Sequence, residues 1–336
     1  MHLPLLHISS RQPEQPPLDD PFGIGQFEGT DFIPWLADPV TAIRRAEKRT
    51  PLLDAGALFC AALGSEFSYF ALMGMMFSAH DRKQANTLSA VILPSVFINQ
   101  LVKARFRFPR PPQAARHDLA FVAPGDFTFP SGHAQNAVAL GLFLALRTPN
   151  TWLQATGLAV ATSIPLSRVY LGVHYPRDIL AGALLGIGTL AGVKVYEQRF
   201  QHWWDNSPRG PRSATLALAL SILGVVTGTP LAAFPLGVAG GMAVGHDMSG
   251  EKRFVIDSPS GKRRIIQGAT GLVVTFGVGF SIRPLVKRDS AVAALLAGAL
   301  VGVGQTYGIP LLNDFAKRFA ILRQRRKNRR RRRIRR

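Results

Sequence analysis

FPSGHAQNA, residues 129–137, sets a proline, a serine, a glycine and a histidine at the head of a long apolar run. Ser131 reads as the N-cap of a helix that starts here. The unpaired N–H groups of a helix start, with the helix dipole behind them, favour an anion, and Gly132 lets the backbone approach it closely. The stretch alone does not separate a capped helix with an incidental histidine from a site that holds an anion and does chemistry. That depends on what the rest of the chain brings to it.

The chain has 336 residues, 47% hydrophobic and 18% charged, with 32 glycines and a single cysteine. This balance suits helices that face lipid rather than water. Cys60 lies in an apolar run and reads as filler; no disulfide within the chain and no zinc cluster is spelled out. The first twenty residues lack a basic start, an uninterrupted apolar stretch and a small-residue cleavage site, so no cleaved signal peptide is expected. The net charge of +20 looks like that of a nucleic-acid binder, but Lys317–Arg336 alone carries 13 Lys and Arg and no acid. The remainder holds 27 basic and 20 acidic residues and is only mildly basic. The tail is therefore expected to meet anionic lipid or to anchor topology, rather than to bind nucleic acid.

Four regions are expected along the chain: an N-terminal arm over 1–50, a catalytic membrane core over 51–200, additional transmembrane helices over 211–310, and the Arg-rich tail over 317–336. Within the arm, Asp38 and Pro39 suit a helix start. Val40, Ile43 and Ala46 recur at helical spacing opposite Arg44, Arg45 and Lys48, which predicts an interfacial amphipathic helix. Apolar segments follow at 52–79, 85–102, 134–147, 151–166, 178–196, 213–228, 230–245, 267–286 and 290–309. The fold class is all-α, a multi-pass transmembrane bundle, because too few polar faces remain to solvate so many apolar helices. Small residues four apart, at Gly182 and Gly186, Gly237 and Gly241, Gly241 and Gly245, and Gly298 and Gly302, predict close helix packing.

Polar residues gather at segment ends, where membrane helices rarely place them without a role. KARFRFPRP (103–111) closes the second apolar segment, PSGH (130–133) opens the third, and SRVYLGVHYPRD (167–178) joins the fourth to the fifth. If successive segments cross the membrane in alternate directions, all three clusters emerge on one face. Lys103, Arg110 and Arg168 then supply fixed positive charge, the arginines as planar forks suited to phosphate oxygens. Ser131 and the amides of Gly132 and His133 add donors.

His174 and Asp178 stand four apart, so a helix that begins by Val173 would carry both on one face, with the carboxylate orienting the imidazole. An imidazole so held is a usable nucleophile, and His133 would protonate the departing alkoxide and later activate water. Neither a metal nor a cofactor is called for, since three cations already offset the phosphoryl charge.

These motifs resemble those of the type 2 phosphatidic acid phosphatase (PAP2) family, which shares its site pattern with vanadium haloperoxidases and glucose-6-phosphatase. The family pattern is K-x6-RP, PSGH and SR-x5-H-x3-D, matched here by Lys103 with Arg110 and Pro111, by Pro130–His133, and by Ser167, Arg168, His174 and Asp178. The resemblance covers roughly residues 65 to 196 and is looser beyond 210. It implies His174 as nucleophile, Asp178 as its orienter and His133 as acid and base. Lys103, Arg110, Ser131, Gly132 and Arg168 are implied as phosphate binders. One departure is that many bacterial members place three helices before the first motif, where this chain shows two apolar segments and the amphipathic stretch around Val40.

The expected function is hydrolysis of a lipid phosphomonoester or diphosphate. The runner-up enzyme is a vanadate-holding peroxidase of the same site. From a different class, a catalytically silent scaffold held at anionic lipid by its tail is the alternative, which intact His133, Arg168, His174 and Asp178 oppose. Arg105 and Arg107 read as interfacial charges and Arg177 as a loop charge, while Glu66 reads as either the salt-bridge partner of one of the arginines or a water-exposed helix start. HDMSGEKRFVIDSPSGKRR (246–264) reads as a surface turn. Basic residues concentrate on the face opposite the motifs, among them Arg199, Arg209, Arg212, Lys252 and Arg253, so the active site is expected to face away from the cytoplasm.

Overall fold

The computed structural model describes residues 50–78, 82–113, 116–120, 126–208, 210–249, 265–273 and 290–312, and a few isolated positions in between and beyond. The amphipathic stretch 38–49, residues 250–260 and 262–264 of the turn expected over 246–264 and most of the Arg-rich tail lie outside the described residues; residues 246–249, expected in that turn, are instead helical. Among the described residues every regular element is helical.

Helix α1 (Pro51–Leu63) starts on Thr50, whose hydroxyl accepts from Leu53 N, with Pro51 in the first turn where its missing N–H costs nothing. The apolar segment expected over 52–79, as a single crossing or a re-entrant pair, breaks at Gly64–Ser65 into α1 and α2 (Glu66–Ser78), bent by 57°. The break is built locally: Ser68 Oγ donates to the Ala62 carbonyl at 2.7 Å and Ser68 N donates to Ser65 Oγ at 3.3 Å. These hydroxyls satisfy backbone groups that a continuous helix would have paired.

Helix α3 (Arg82–Phe106) runs 25 residues, about 37 Å at 1.5 Å per residue, despite Pro94 in its interior. Helices α4 (Gly132–Arg147), α5 (Thr151–Tyr170) and α6 (Pro176–Val195) follow, capped by Ser131, Asn150 and Tyr175. A π-turn over Tyr196–Phe200 and the short α7 (Gln201–Asn206) lead to α8 (Pro211–Val226) and α9 (Pro230–Ser249). Residues 265–273 are helical, and α10 (Ala291–Val303) continues through a second π-turn, Gly304–Gly308. Three spans, Gln84–Phe106, Pro176–Phe200 and Ala291–Leu312, are each long and apolar enough to cross a membrane, and the bent α1–α2 pair makes a fourth if taken together.

Small residues hold the helices at close range, as their spacing predicts. A Cβ added at Gly182 would fall 2.5 Å from the Ser131 carbonyl oxygen, and one at Gly186 would fall 2.5 Å from that of Gln135. The crossing of α4 and α6 therefore admits no side chain there. Gly237 and Gly241 of α9 face the backbone of Leu295 and Ala299 in the same way, and Gly298 and Gly302 of α10 face that of Phe234 and Val238. Gly141 and Gly157, which the four-residue spacing does not reveal, do so between α4 and α5.

The core crosses the expected boundary at residue 200. Tyr69, Phe70, Met73 and Phe77 of α2 pack with Val91, Ile92 and Val96 of α3 and with Val238, Met242 and Val301 of the C-terminal helices. Gln305 Nε2 donates to the Phe70 carbonyl at 2.9 Å. A mostly apolar cleft of about 880 Å³ remains between α3 and α6 on one side and α8 and α9 on the other.

Helix α6 has two contrasting faces. Asp178, Gly182, Gly186 and Val193 are buried, while Leu180, Leu184 and Ile187 are 56%, 61% and 49% exposed. Such a face fits a lipid environment rather than water.

Because the α4–α6 crossing has no room, Gly182→Ala should lower unfolding stability by about 1–3 kcal/mol through overpacking. Gly188→Ala, at a position with nothing within 4 Å, should be neutral or slightly stabilising. Thermal unfolding of both variants in detergent checks the contrast.

Candidate active site

Each piece of the site is set by a helix end. Helix α3 stops at Phe106, where Arg107 takes a left-handed φ of 51° and its N–H returns to the Lys103 carbonyl at 3.0 Å. The chain turns there, so that Lys103 from the last helical turn and Arg110 from the loop point into the same space. Phe106, Phe108 and Phe129 cluster with ring centroids 5.4–5.7 Å apart and pack the two loop stretches together. Arg105 and Arg107 are exposed, as their reading as interfacial charges requires.

At the start of α4, Ser131 Oγ accepts from Ala134 N at 3.4 Å, the expected cap. Its own N–H is committed to the Asp178 carbonyl at 3.0 Å, so this amide is a strut between α4 and α6 rather than an anion donor. The amides of Gly132 and His133, in the first helical turn, are the ones a helix leaves without an internal partner. The imidazole of His133 hydrogen-bonds to the backbone of Ala61 and lies against Gly64, at the α1–α2 break.

The third cluster turns at Gly172, whose φ of 68° suits glycine, and Val173 N closes on the Arg168 carbonyl at 3.1 Å. Helix α6 begins at Pro176, not by Val173, which corrects the expectation that His174 and Asp178 share a helix face. Proline's preference for the first helical position sets this start. His174 precedes the helix, and Asp178 is its third residue, with Oδ2 accepting from Tyr175 N at 2.8 Å.

The link between imidazole and carboxylate runs mainly through Thr128. Its hydroxyl donates to Asp178 Oδ2 at 2.5 Å and lies 3.2 Å from His174 Nδ1, while Nδ1 and Oδ2 are 3.5 Å apart. A hydroxyl whose proton goes to the carboxylate can only accept from the ring, which places the hydrogen of a neutral His174 on Nδ1 and the lone pair on Nε2. That tautomer is assigned from the network. Nε2 accepts from Arg110 Nη1 at 3.1 Å.

The cations are buried and crowded. Arg168 is 5% exposed, and its Nε has no hydrogen-bond partner among the described residues. A buried orphan donor beside two other cations suits an oxyanion. Lys103 and Arg110 close on the Asp126 carboxylate at 2.8 and 2.6 Å. Burial alone would raise the carboxyl of Asp126, but Lys103 and Arg110 outweigh it and hold its pKa below the ordinary value. For His174, burial first and then Arg110, Arg168 and Lys103 push the pKa well below 6.5. The imidazole is therefore neutral near pH 7.

Lys103, Arg110, Ser131, Gly132, His133, Arg168, His174 and Asp178 are thus brought to one place. Asp126, Thr128 and Asn99 join them without having been singled out by their sequence. Asn99 Nδ2 donates to Gln135 Oε1 at 2.9 Å and to the Pro130 carbonyl at 3.4 Å, supporting the loop before Ser131. Glu66 takes neither expected role: it hydrogen-bonds Gln100 and lies in the field of Lys103. Arg177 stacks over Phe108 and Tyr175, both at 5.2 Å. Arg212, counted above among the topogenic charges, is buried in an ion pair with Asp247 at 2.8 Å.

Residues 84–202 match the family model of the PAP2 superfamily. The chain is 27% identical over 184 residues to a dihydrosphingosine 1-phosphate phosphatase of Schizosaccharomyces pombe, covering 51% of this chain and 45% of that protein. It is 44% identical over 63 residues to an undecaprenyl-diphosphatase of Sulfolobus acidocaldarius, covering 19% and 30%. It is 33% identical over 107 residues to a lipid A 4'-phosphatase of Bacteroides thetaiotaomicron, covering 29% and 48%. The chain thus spans less than half the length of these curated relatives. Among solved structures, a transmembrane PAP2-type phosphatidylglycerolphosphate phosphatase from Bacillus subtilis is similar, at 26% identity and a TM-score of 0.39, covering 48% of this chain and 85% of that one. The apolar helices, with the family match over 84–202, make this an integral membrane protein.

The depressed pKa of His174 has a stability consequence whose sign is fixed. Below pH 6.5 the unfolded chain protonates this imidazole while the folded site resists, so folding stability falls as pH drops from about 6.5 towards the depressed value. His174→Asn should make that decline shallower, as read by unfolding midpoints between about pH 7 and 5.

Proposed function

With residues 84–202 belonging to the PAP2 superfamily, we propose that the chain is a membrane phosphatase that hydrolyses a lipid phosphomonoester or diphosphate through a phosphohistidine at His174. The observation that carries this reading is the placement of His174, with its Nδ1 tied through Thr128 to Asp178 and its Nε2 turned to Arg110.

Nε2 attacks phosphorus as the bond from phosphorus to the lipid oxygen breaks, and His133 gives that oxygen its proton. Water then attacks the phosphohistidine, His133 takes the water proton, the P–N bond breaks and phosphate leaves. Asp178, acting through Thr128, favours the positive charge that grows on the imidazole. Lys103, Arg110 and Arg168, with the Gly132 and His133 amides and the Ser131 hydroxyl, hold the phosphoryl oxygens, so the chemistry calls for no metal.

The relatives' names point to substrates that share a phosphate at the headgroup plane and differ in everything else, so the reading commits to the phosphate and to a lipid carrier. In this reading residues 51–200 are the catalytic core, 211–310 add membrane helices to it, and the 317–336 tail lies on anionic lipid. The site opens on the face away from the cytoplasm.

His174→Ala should reduce phosphate release from lipid phosphates by about a thousandfold or more while the protein still inserts. Turnover like that of the parent protein would overturn the mechanism. His133→Ala separates the acid step from the base step. With p-nitrophenyl phosphate, whose leaving group needs no proton, the variant should release a burst of one nitrophenolate per site and then stall at the phosphohistidine. Rapid-mixing absorbance measures the burst.

A further inference from the structure

Asp126 sits where a phosphate would be expected to sit. Its two oxygens take Lys103 Nζ at 2.8 Å and Arg110 Nη2 at 2.6 Å, and its carbonyl takes Arg110 Nε at 3.3 Å. Arg110 Nη1 donates to the Val173 carbonyl at 2.8 Å and to His174 Nε2 at 3.1 Å. Four of the guanidinium's five N–H groups are thereby used, so a phosphoryl oxygen cannot obtain a two-pronged grip on Arg110 without taking donors from something. The lone pair that would attack phosphorus is also engaged by the same guanidinium. Asp126 is the outermost member: its side chain is 26% exposed against 9% for Lys103 and 6% for Arg110, so it covers the cations from the mouth of the site.

We propose that Asp126 is a built-in counter-anion that latches the site, holding Arg110 against His174 Nε2, and that an arriving phosphate displaces it and thereby uncovers the nucleophile. This rests on the phosphate-site reading above and adds a positioning residue to it. A phosphate monoester carries up to twice the charge of a carboxylate and offers three acceptor oxygens, so it outcompetes Asp126 for the same donors. Between substrates, the carboxylate keeps two buried cations from facing each other uncompensated. Thr128 N is fixed to the Phe108 carbonyl at 2.9 Å, so Asp126 can move without disturbing the Thr128 link to Asp178.

The test is inorganic phosphate binding to the full chain in detergent, read by thermal shift, in wild type, Asp126→Asn and Asp126→Glu. A latch gives about tenfold tighter phosphate binding in Asp126→Asn and near-wild-type binding in Asp126→Glu. A mere strut for Lys103 and Arg110 gives weaker or unchanged binding in Asp126→Asn, which overturns the proposal. If Asp126→Asn does not fold, the wild-type structure with bound tungstate decides. Opening of the 2.8 or 2.6 Å contact, with Arg110 off Nε2, supports the latch, and both contacts intact overturn it. Failure of wild type to bind phosphate and tungstate overturns the phosphate-site reading itself, and the latch with it.

Discussion

Three cations gathered in a nearly dry pocket are the constraint on which the rest of this molecule turns. Lys103, Arg110 and Arg168 repel one another, and each would cost several kcal/mol to desolvate alone. Burial first, and then their field, keeps His174 neutral, while Lys103 and Arg110 hold Asp126 charged and Arg168 keeps a donor to offer. Their field also makes the pocket's preference one of charge and oxygen geometry, with little in it that reads the rest of a ligand.

Holding such a pocket together falls to backbone contacts as well as to side chains. The Ser131 N–H bond to the Asp178 carbonyl ties the start of α4 to the start of α6, and Gly182 and Gly186 let the two helices run close below it. The α1–α2 break brings Ala61 and Gly64 to His133. On the other side, the C-terminal helices share one core with α2 and α3, so the family-matched stretch does not pack by itself.

Much of this was legible in the sequence, for definite reasons. A lysine, two arginines and two histidines at the ends of apolar runs have few alternative explanations in a membrane, and small residues four apart announce a crossing. Asp126 and Thr128 were not legible, because an acid and a hydroxyl in a loop have many ordinary surface roles. Only the fold shows that the first meets two buried cations and the second bridges His174 to Asp178. The kink at Gly64 left a trace in the sequence, since Gly64, Ser65, Glu66 and Ser68 interrupt the apolar run, but these residues do not by themselves distinguish a bend within one span from a polar patch on a continuous helix. The position of the α6 start was available in Pro176, but a four-residue spacing suggested a helix face where the chain makes a cap.

The two-faced α6 places the site in direct mechanical contact with its surroundings. One edge carries Asp178 and the glycines that seat α4, while the opposite edge leaves Leu180, Leu184 and Ile187 exposed, as a face turned to acyl chains would be. A bilayer too thick or too thin for that helix is met by tilt. Tilt here pivots about the crossing with α4, a few residues from the carboxylate. The thickness and order of the surrounding lipid therefore become variables of the candidate site, alongside pH.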